Sequence, residues 1–455
     1  LIEWKNDAKR LFSTVSHGAW TLNPQTIGKI DRHFGKPICW LLTIARSIGG
    51  LFPARPSKPV EKILFIKMIE QGATVLAYRA LQTAVDRVGR RNVYFWVFEE
   101  NRPILDLLDL IPPENVIVIR TSSALQLMLG MLGTLWRVRQ MRFDASVDME
   151  FFSRASAILA YLSGAKRRIG LHRFNGEGPY RGDLLTHRVQ YNPYLHVAIQ
   201  YHLLVETIWA DAGQTPLLKV PAPALGSGQY DPSIFRATGD EITTVRAILE
   251  KLSRRAVDGP IFLINPNASD LLPLRKWDTG RFVALGQRLL EEDPAALLVV
   301  TGAPSEKDAA EQVARSIAAD RCISIAGHTT LRQLMVLYTM ADILVTNDSG
   351  PGHFSSMTPI DSVVLFGPET PALFGPLGPR THVVWANLAC SPCVNVINHR
   401  FSPCTNNVCM QEITVDAVHA KVTEVLHRRR VKARALQVIH LAAPISEAVS
   451  EGVPS

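Results

Sequence analysis

From Ile63 onward, short β-branched apolar runs alternate with longer stretches in which apolar residues recur every three or four positions. The runs Ile63–Lys67, Val93–Phe98, Val116–Ile119, Ala145–Met149 and Arg168–Leu171 make one set. Ile261–Asn265, Leu297–Thr301, Cys322–Ala326, Ile343–Asn347 and Ser362–Gly367 make a second. Near-continuous apolar runs of this length predict strands buried on both faces, and helix-length spacers between them imply parallel sheets joined by right-handed crossovers. The pattern therefore predicts an α/β chain of two Rossmann-like parallel-sheet domains facing a cleft. Between the sets, Val220–Ser233 reads VPAPALGSGQYDPS, the composition of an interdomain linker. The expected organisation is an N-terminal extension over 1–58, a first domain over 59–220, a linker over 221–240, a second domain over 241–430 and a loosely ordered tail over 431–455.

The extension has a pattern of its own. In the run from Pro37 to Ala54, Trp40, Leu41, Ile44, Ile48, Leu51 and Phe52 recur at helical spacing, with Arg32, Lys36, Arg46 and Arg55 on the flanks. Arg46 interrupts a run already too short to span a bilayer. A polar stretch precedes it without a small-residue cleavage site, so the segment does not read as a secretory signal. It fits either an amphipathic helix lying on an anionic leaflet or a helix packed against the protein itself.

Composition sharpens this picture. A chain of 455 residues with 47% hydrophobic and 20% charged residues describes globular domains with real cores. The net charge of +8 is concentrated at the ends, since residues 1–58 hold nine Lys or Arg against three Asp or Glu, and Arg428, Arg429, Arg430, Lys432 and Arg434 cluster near the C-terminus. Terminal basic clusters suit an anionic surface. With no aromatic-interleaved basic stripe, a lipid surface is favoured and no nucleic-acid partner is expected.

The densest candidate chemistry is Thr346-Asn347-Asp348-Ser349-Gly350-Pro351-Gly352-His353, between the apolar runs Ile343–Val345 and Ser362–Pro368. A buried strand ending this way delivers a carboxylate, a hydroxyl and backbone N–H groups to the carboxyl edge of a sheet, where open α/β sheets bind ligands. Gly350 and Gly352 would let backbone approach a bound group, and a helix starting near His353 would offer its N-terminus to phosphate.

This segment resembles the (T/S)-N-D-(S/T)-G-P-x-H signature of the ADP-heptose:lipopolysaccharide heptosyltransferases, glycosyltransferase family 9. Leu365–Pro371 resembles the L-F-G-P-T-x-P that follows it there. Ile63–Lys67 with Gly72 looks like the family's opening strand and glycine loop, and Asp144–Gly170 like its D-x-x-I-D-x-(Q/E)…S-G-A-x-x-R-I-G block. Ile264–Ala268 with Lys276-Trp277 looks like the first strand of the donor domain and its K-x-W or K-R-W turn.

The resemblance implies a GT-B fold and an inverting transfer from a nucleotide-sugar donor, ADP-heptose in that family, to a lipopolysaccharide-core or related glycolipid acceptor at the inner face of the cytoplasmic membrane. On it, Asp348 contacts donor sugar hydroxyls, and Asn347, Ser349 and Gly350 line the donor. His353 and Lys276 answer the diphosphate, Glu306 takes the ribose, and no cofactor is required for catalysis. Lys67, Arg168, Arg173 and Arg181 are the acceptor-side candidates, the three arginines in a segment rich in Arg and Tyr.

One departure matters. The family carries G-D after the first strand, with that aspartate as the expected general base, whereas here Ala73 follows Gly72. Glu70 is the nearest carboxylate that could replace it. A lost base would instead make the chain a catalytically silent sugar-nucleotide-binding homologue, and a GT-B enzyme using a UDP-sugar, or an epimerase, shares the fold. Finally, Cys390, Cys393, Cys404 and Cys409 have a spacing that can close a structural zinc site, remain as thiols or pair as disulfides.

Overall fold

The computed structural model describes residues 31–49, 59–120, 124–174, 178–225, 228–268, 272–318, 320–397 and 401–442. Residues 1–30 and 50–58 of the extension, with Leu51, Phe52 and Arg55, and residues 443–455 of the tail lie outside the described residues. The chain divides into two units, Leu1–Tyr230 with Asn395–Phe401 and Asp231–Val394 with Ser402–Ser455, each with its own sheet.

In the first unit the strands are β1 (Ile63–Ile66), β2 (Val93–Phe98), β3 (Val116–Ile119), β4 (Ala145–Asp148), β5 (Arg167–His172) and β6 (His187–Gln190). Its helices are α1 (Lys36–Gly49), α2 (Gln71–Leu76), α3 (Tyr78–Val88), α4 (Arg102–Leu108), α5 (Ala124–Met141), α6 (Arg154–Leu162) and α7 (Val197–Glu206). The second unit holds β7 (Ile261–Asn265), β8 (Leu297–Val300), β9 (Cys322–Ser324), β10 (Ile343–Asn347), β11 (Asp361–Phe366) and β12 (Thr381–Trp385). Its helices are α8 (Gly239–Ser253), α9 (Thr279–Glu292), α10 (Lys307–Ile317), α11 (Leu331–Met340), α12 (Gly350–Ser355), α13 (Pro371–Phe374), α14 (Val408–Gln411) and α15 (Val415–Ala442).

All ten predicted strands form, some trimmed or extended at their ends, and β6 and β12 add an edge to each sheet. The orders are β3-β2-β1-β4-β5-β6 and β12-β11-β10-β7-β8-β9, parallel throughout. Each is therefore the doubly wound order, whose direction reverses between its first and fourth strands. That reversal opens a crevice beyond the carboxyl ends of β1 and β4 in one unit and of β7 and β10 in the other.

Burial follows the apolar runs. β1, β4, β7, β8, β10 and β11 are buried along their full length. The second core gathers Phe262, Ile264, Trp277, Phe282, Val345 and Val363, and α15 closes it with Val418, Val422 and Val425. α1 docks on the first unit: Cys39 is buried with Ala157 and Leu184, Arg154 pairs with Asp31, and Arg46 pairs with Asp183.

Helix α15 continues to Ala442, past residue 430 where the tail was expected to start. In the basic cluster on it, Arg429 is half-buried and meets Asp361 at 3.0 Å and Asp342 at 3.6 Å, while Arg430, 2.8 Å from Asp293, and Arg428, paired with Glu424, remain exposed.

Candidate active site

β10 ends at Asn347 and the chain turns through Asp348 and Ser349 into α12, a strand end at the crevice of the second sheet. Asn347 is fully buried and its amide is committed. Its Oδ1 accepts from the Trp277 backbone N–H at 3.0 Å, and its Nδ2 donates to the Pro266 carbonyl at 3.0 Å and the Asn267 carbonyl at 3.3 Å. The residue expected to touch donor therefore stitches three loops together. Ser349 also turns inward, its hydroxyl donating to the Asn347 carbonyl at 3.1 Å. Gly352 serves packing, because a Cβ there would sit 3.2 Å from Val364 and 3.4 Å from Pro376; at Gly350 it would sit 3.0 Å from the Phe354 ring. His353 is buried one turn into α12.

The carboxylate of Asp348 is only 4% exposed and faces Arg275, whose Nε lies 3.4 Å from Asp348 Oδ2. Arg275 Nη1 donates to the Asp348 carbonyl at 3.3 Å, and Nη2 pairs with the fully buried Glu369. One guanidinium thus bridges two carboxyl groups in a dry setting. Burial pushes both carboxyls up from their ordinary range, and Arg275 opposes that rise. Neither Arg275 nor Glu369 was a sequence candidate. The signals were adjacent, since Arg275 precedes Lys276 and Glu369 stands where the resembled L-F-G-P-T-x-P has Thr. Lys276 itself is half-buried, and its carbonyl accepts from Asn407 Nδ2 at 3.1 Å.

Beside this, at the carboxyl end of β7, Asn265 donates to Thr301 Oγ1 at 3.0 Å and accepts from the Asn267 N–H at 3.2 Å. Asn267 Nδ2 is buried and makes no hydrogen bond among the described residues. It borders Gly302, where a Cβ would come within 2.9 Å of Asn267 Nδ2 and 3.2 Å of Glu306 Oε2. Glu306 also accepts from the Ala303 N–H at 2.7 Å, a first-turn bond that stabilises the helix start. An unpaired buried donor is costly in isolation, and its placement at the crevice suits a polar ligand.

In the first unit, the crevice beyond β1 and β4 carries a second polar cluster. Lys67 is fully buried, its Nζ 3.2 Å from Glu70 Oε2 and 3.5 Å from Glu150 Oε2. Glu150 Oε1 accepts from the Met68 N–H at 2.7 Å and the Ile69 N–H at 3.3 Å, so it shapes the loop that presents Glu70. Glu70 itself adopts φ 74° and ψ 80°, a left-handed conformation rare for a non-glycine residue. Such strain clusters at sites where surrounding structure holds a side chain for a purpose. Ala73 is buried within α2 and brings no polar group.

The arginines expected on the acceptor side divide. Arg168 donates to the Leu184 carbonyl at 2.6 Å and the Ala165 carbonyl at 2.8 Å, and burial lowers its pKa to about 10. Arg181 is buried over the Phe152 ring, donates to the Leu171 carbonyl and lies 3.8 Å from Asp148. Both guanidinium groups thus donate to backbone carbonyls of the first unit. Arg173 is half-buried beside Gly178. Burial, opposed by Arg181, pushes the Asp148 carboxyl up to about 7.

The cysteines do not fit a zinc site. Among the described residues no group of three or more His, Cys, Asp or Glu could hold a metal ion. All four are free thiols, with Cys390 and Cys404 exposed and Cys409 buried. Ser402 donates to Cys393 Sγ at 3.3 Å, and the Cys404 thiol donates to the Asn406 carbonyl at 3.2 Å.

Comparison with known proteins bears on this geometry. A family model described as glycosyltransferase family 9 (heptosyltransferase) matches residues 134–400, more than half of the chain. Lipopolysaccharide heptosyltransferase 2 of Salmonella typhimurium is 26% identical over 115 residues, 25% of this chain and 32% of the relative. Lipooligosaccharide heptosyltransferase 2 of Haemophilus ducreyi is 27% identical over 155 residues, 33% of this chain and 44% of the relative. These curated relatives are thus matched over about a third to a half of their length. Among solved structures, Escherichia coli ADP-heptose lipopolysaccharide heptosyltransferase II superimposes with a TM-score of 0.58 at 19% identity, covering 81% of this chain and 99% of that one. A family 9 glycosyl transferase from Veillonella parvula gives 0.61 at 14% identity, covering 82% and 99%. At these identities the superpositions establish a shared fold.

Proposed function

The chain belongs to glycosyltransferase family 9, and from that membership we propose that it is an inverting glycosyltransferase moving a sugar, heptose, from a nucleotide-diphosphate donor to a lipopolysaccharide-core or related glycolipid acceptor. The observation that carries the proposal is the polar set at the β7 and β10 edge. There the family's signature carboxylate, Asp348, meets Arg275, and a buried Asn267 amide has a donor to spare.

On this reading the second unit takes the donor. Arg275 and Lys276 answer the diphosphate, while Asp348 and Glu369 hold the guanidinium fork in place, a preorganised arrangement that needs no cofactor. Asn267 and Glu306 take polar groups of the nucleoside, and His353 and the Ser349–Gly350 turn border the phosphates. The first unit takes the acceptor, with Lys67 and Arg173 near it. Glu70 accepts the acceptor hydroxyl proton as that oxygen bonds to the sugar C1. The bond from C1 to the diphosphate oxygen breaks, and the nucleoside diphosphate leaves with the electron pair. ADP-heptose is the favoured donor because a solved structure of the same fold is that of an ADP-heptose lipopolysaccharide heptosyltransferase. Work on such a glycolipid would place the protein at the inner, cytoplasmic face of the membrane as a peripheral protein, with α1 on an anionic surface.

Ala73 favours one rival, a silent homologue that binds sugar nucleotide without turning it over. Two measurements separate the readings. ADP-heptose should raise the unfolding midpoint more than UDP-sugars do, since a ligand bound only by the native state stabilises it. Glu70→Gln should then lower turnover by roughly 10²–10⁴-fold with donor binding intact. Turnover within about threefold of wild type would remove Glu70 as the base, and donor binding with no turnover on any acceptor would select the silent homologue.

A further inference from the structure

Two helices of the first unit turn large apolar side chains to solvent. On α1, Ile38, Trp40, Leu41, Ile44 and Ile48 are exposed, with Ile38 and Leu41 three residues apart and Trp40, Ile44 and Ile48 four apart, while Cys39 packs inward. On α5, Leu129, Leu132 and Trp136 are exposed, Trp136 to 69%, while Leu127, Met131 and Leu135 cover the sheet. Helix α6 lies between them: its Ala157 meets Cys39 of α1, and its Leu159 and Ala160 share the core that α5 covers. The three helices therefore form one layer, with apolar outer stripes on its two flanking members.

The charges carried by the two helices themselves have one sign, although Asp31 and Asp183 lie beside α1 in ion pairs with Arg154 and Arg46. Neither α1 nor α5 contains Asp or Glu, whereas Lys36 on α1, Arg137 on α5 and Arg142 just after it are exposed cations. A cavity of about 560 Å³ opens beside α1, lined by His33, Lys36, Pro37, Trp40 and Tyr180. Exposed apolar stripes with a tryptophan on each and cations alongside match an interfacial lipid-binding surface. Among the described residues no helix is long and apolar enough to cross a membrane.

We infer that α5, together with α1, forms a two-helix docking face for an anionic lipid bilayer, with the first unit's own helix layer supplying half of the contact. This deepens the membrane partner proposed above and adds a surface, α5, that lies outside the N-terminal extension. Each helix lies in the interfacial plane, tryptophans at headgroup depth and cations over lipid phosphates.

Cosedimentation of the full chain tests it, with phosphatidylethanolamine–phosphatidylglycerol vesicles against phosphatidylcholine vesicles. The chain should prefer the anionic vesicles, and added salt should weaken binding. Leu132→Gln with Trp136→Gln should lower partitioning about tenfold or more, and Arg137→Gln about fivefold. Both side chains of the double variant are exposed, so its unfolding midpoint should match wild type. Wild-type vesicle binding in the double variant, or no binding by the wild-type chain, overturns the inference. A concentration-dependent dimer that the double variant abolishes, with vesicle binding unchanged, would overturn it in favour of a second copy of the chain. The ADP-heptose midpoint shift, measured on the same proteins, reports separately on the transferase reading and should persist in the double variant.

Discussion

Arg275 stands between two buried carboxyl groups, and its removal would strand both. Arg275→Met should therefore destabilise the second unit by about 3–5 kcal/mol, read by denaturant unfolding. Asp348→Asn leaves Arg275 paired with Glu369 and should cost far less stability while weakening donor use. Equal losses in the two variants would contradict that partition. Asp148 gives a residue-scale prediction in pH. Its folded pKa near 7 exceeds the unfolded value of about 4, so the native state keeps a proton that the unfolded chain releases. Stability from this group is therefore fully present below about pH 4 and is lost as pH rises through about 7. Asp148→Asn, which keeps an acceptor for the Glu150 N–H, should flatten the unfolding-midpoint profile across that window. At this scale the sequence was least legible. It marked Asn347, Arg168 and Arg181 by residue type, but whether a polar side chain meets ligand or its own backbone depends on partners distant in sequence.

Among the elements, α1 makes one especially close backbone approach. Gly182 has φ +64°, and a Cβ there would fall 2.2 Å from Thr43 Oγ1 and 2.7 Å from the Cys39 carbonyl. The neighbouring Asp183 N–H donates to Thr43 Oγ1 at 2.9 Å, and Asp183 pairs with Arg46. Gly182→Ala should therefore release α1, raising hydrogen exchange over residues 36–49 while β1–β5 stay protected; unchanged exchange there would show that α1 is held by other contacts. Elements with strong apolar runs were readable in advance. β6 and β12 escaped because HRVQ is half-buried in alternation and THVVW has no fully buried residue, as expected of edge strands with only one neighbour.

For the whole molecule, alternation of apolar runs and helical spacers was enough to predict two parallel α/β sheets, because parallel pairing demands crossovers and crossovers demand length. Strand order was not predictable from that pattern, and strand order has a consequence for how the chain is born. β1 pairs with β4 through Ile63 and Ala145, and β7 pairs with β10 through Phe262 and Ile343, so each central seam joins segments made far apart in time. Non-local closure of this kind is slow, and large chains acquire it domain by domain during synthesis. Chains stalled on the ribosome after β3 should be digested by protease as unfolded, and protection should appear only once β4 to β6 have emerged; protection with β1–β3 alone would argue against it. The crevice that carries Lys67, Glu70 and Glu150 lies on that seam, so the chemistry of the first unit cannot be assembled before β4 and the residues just after it have been made.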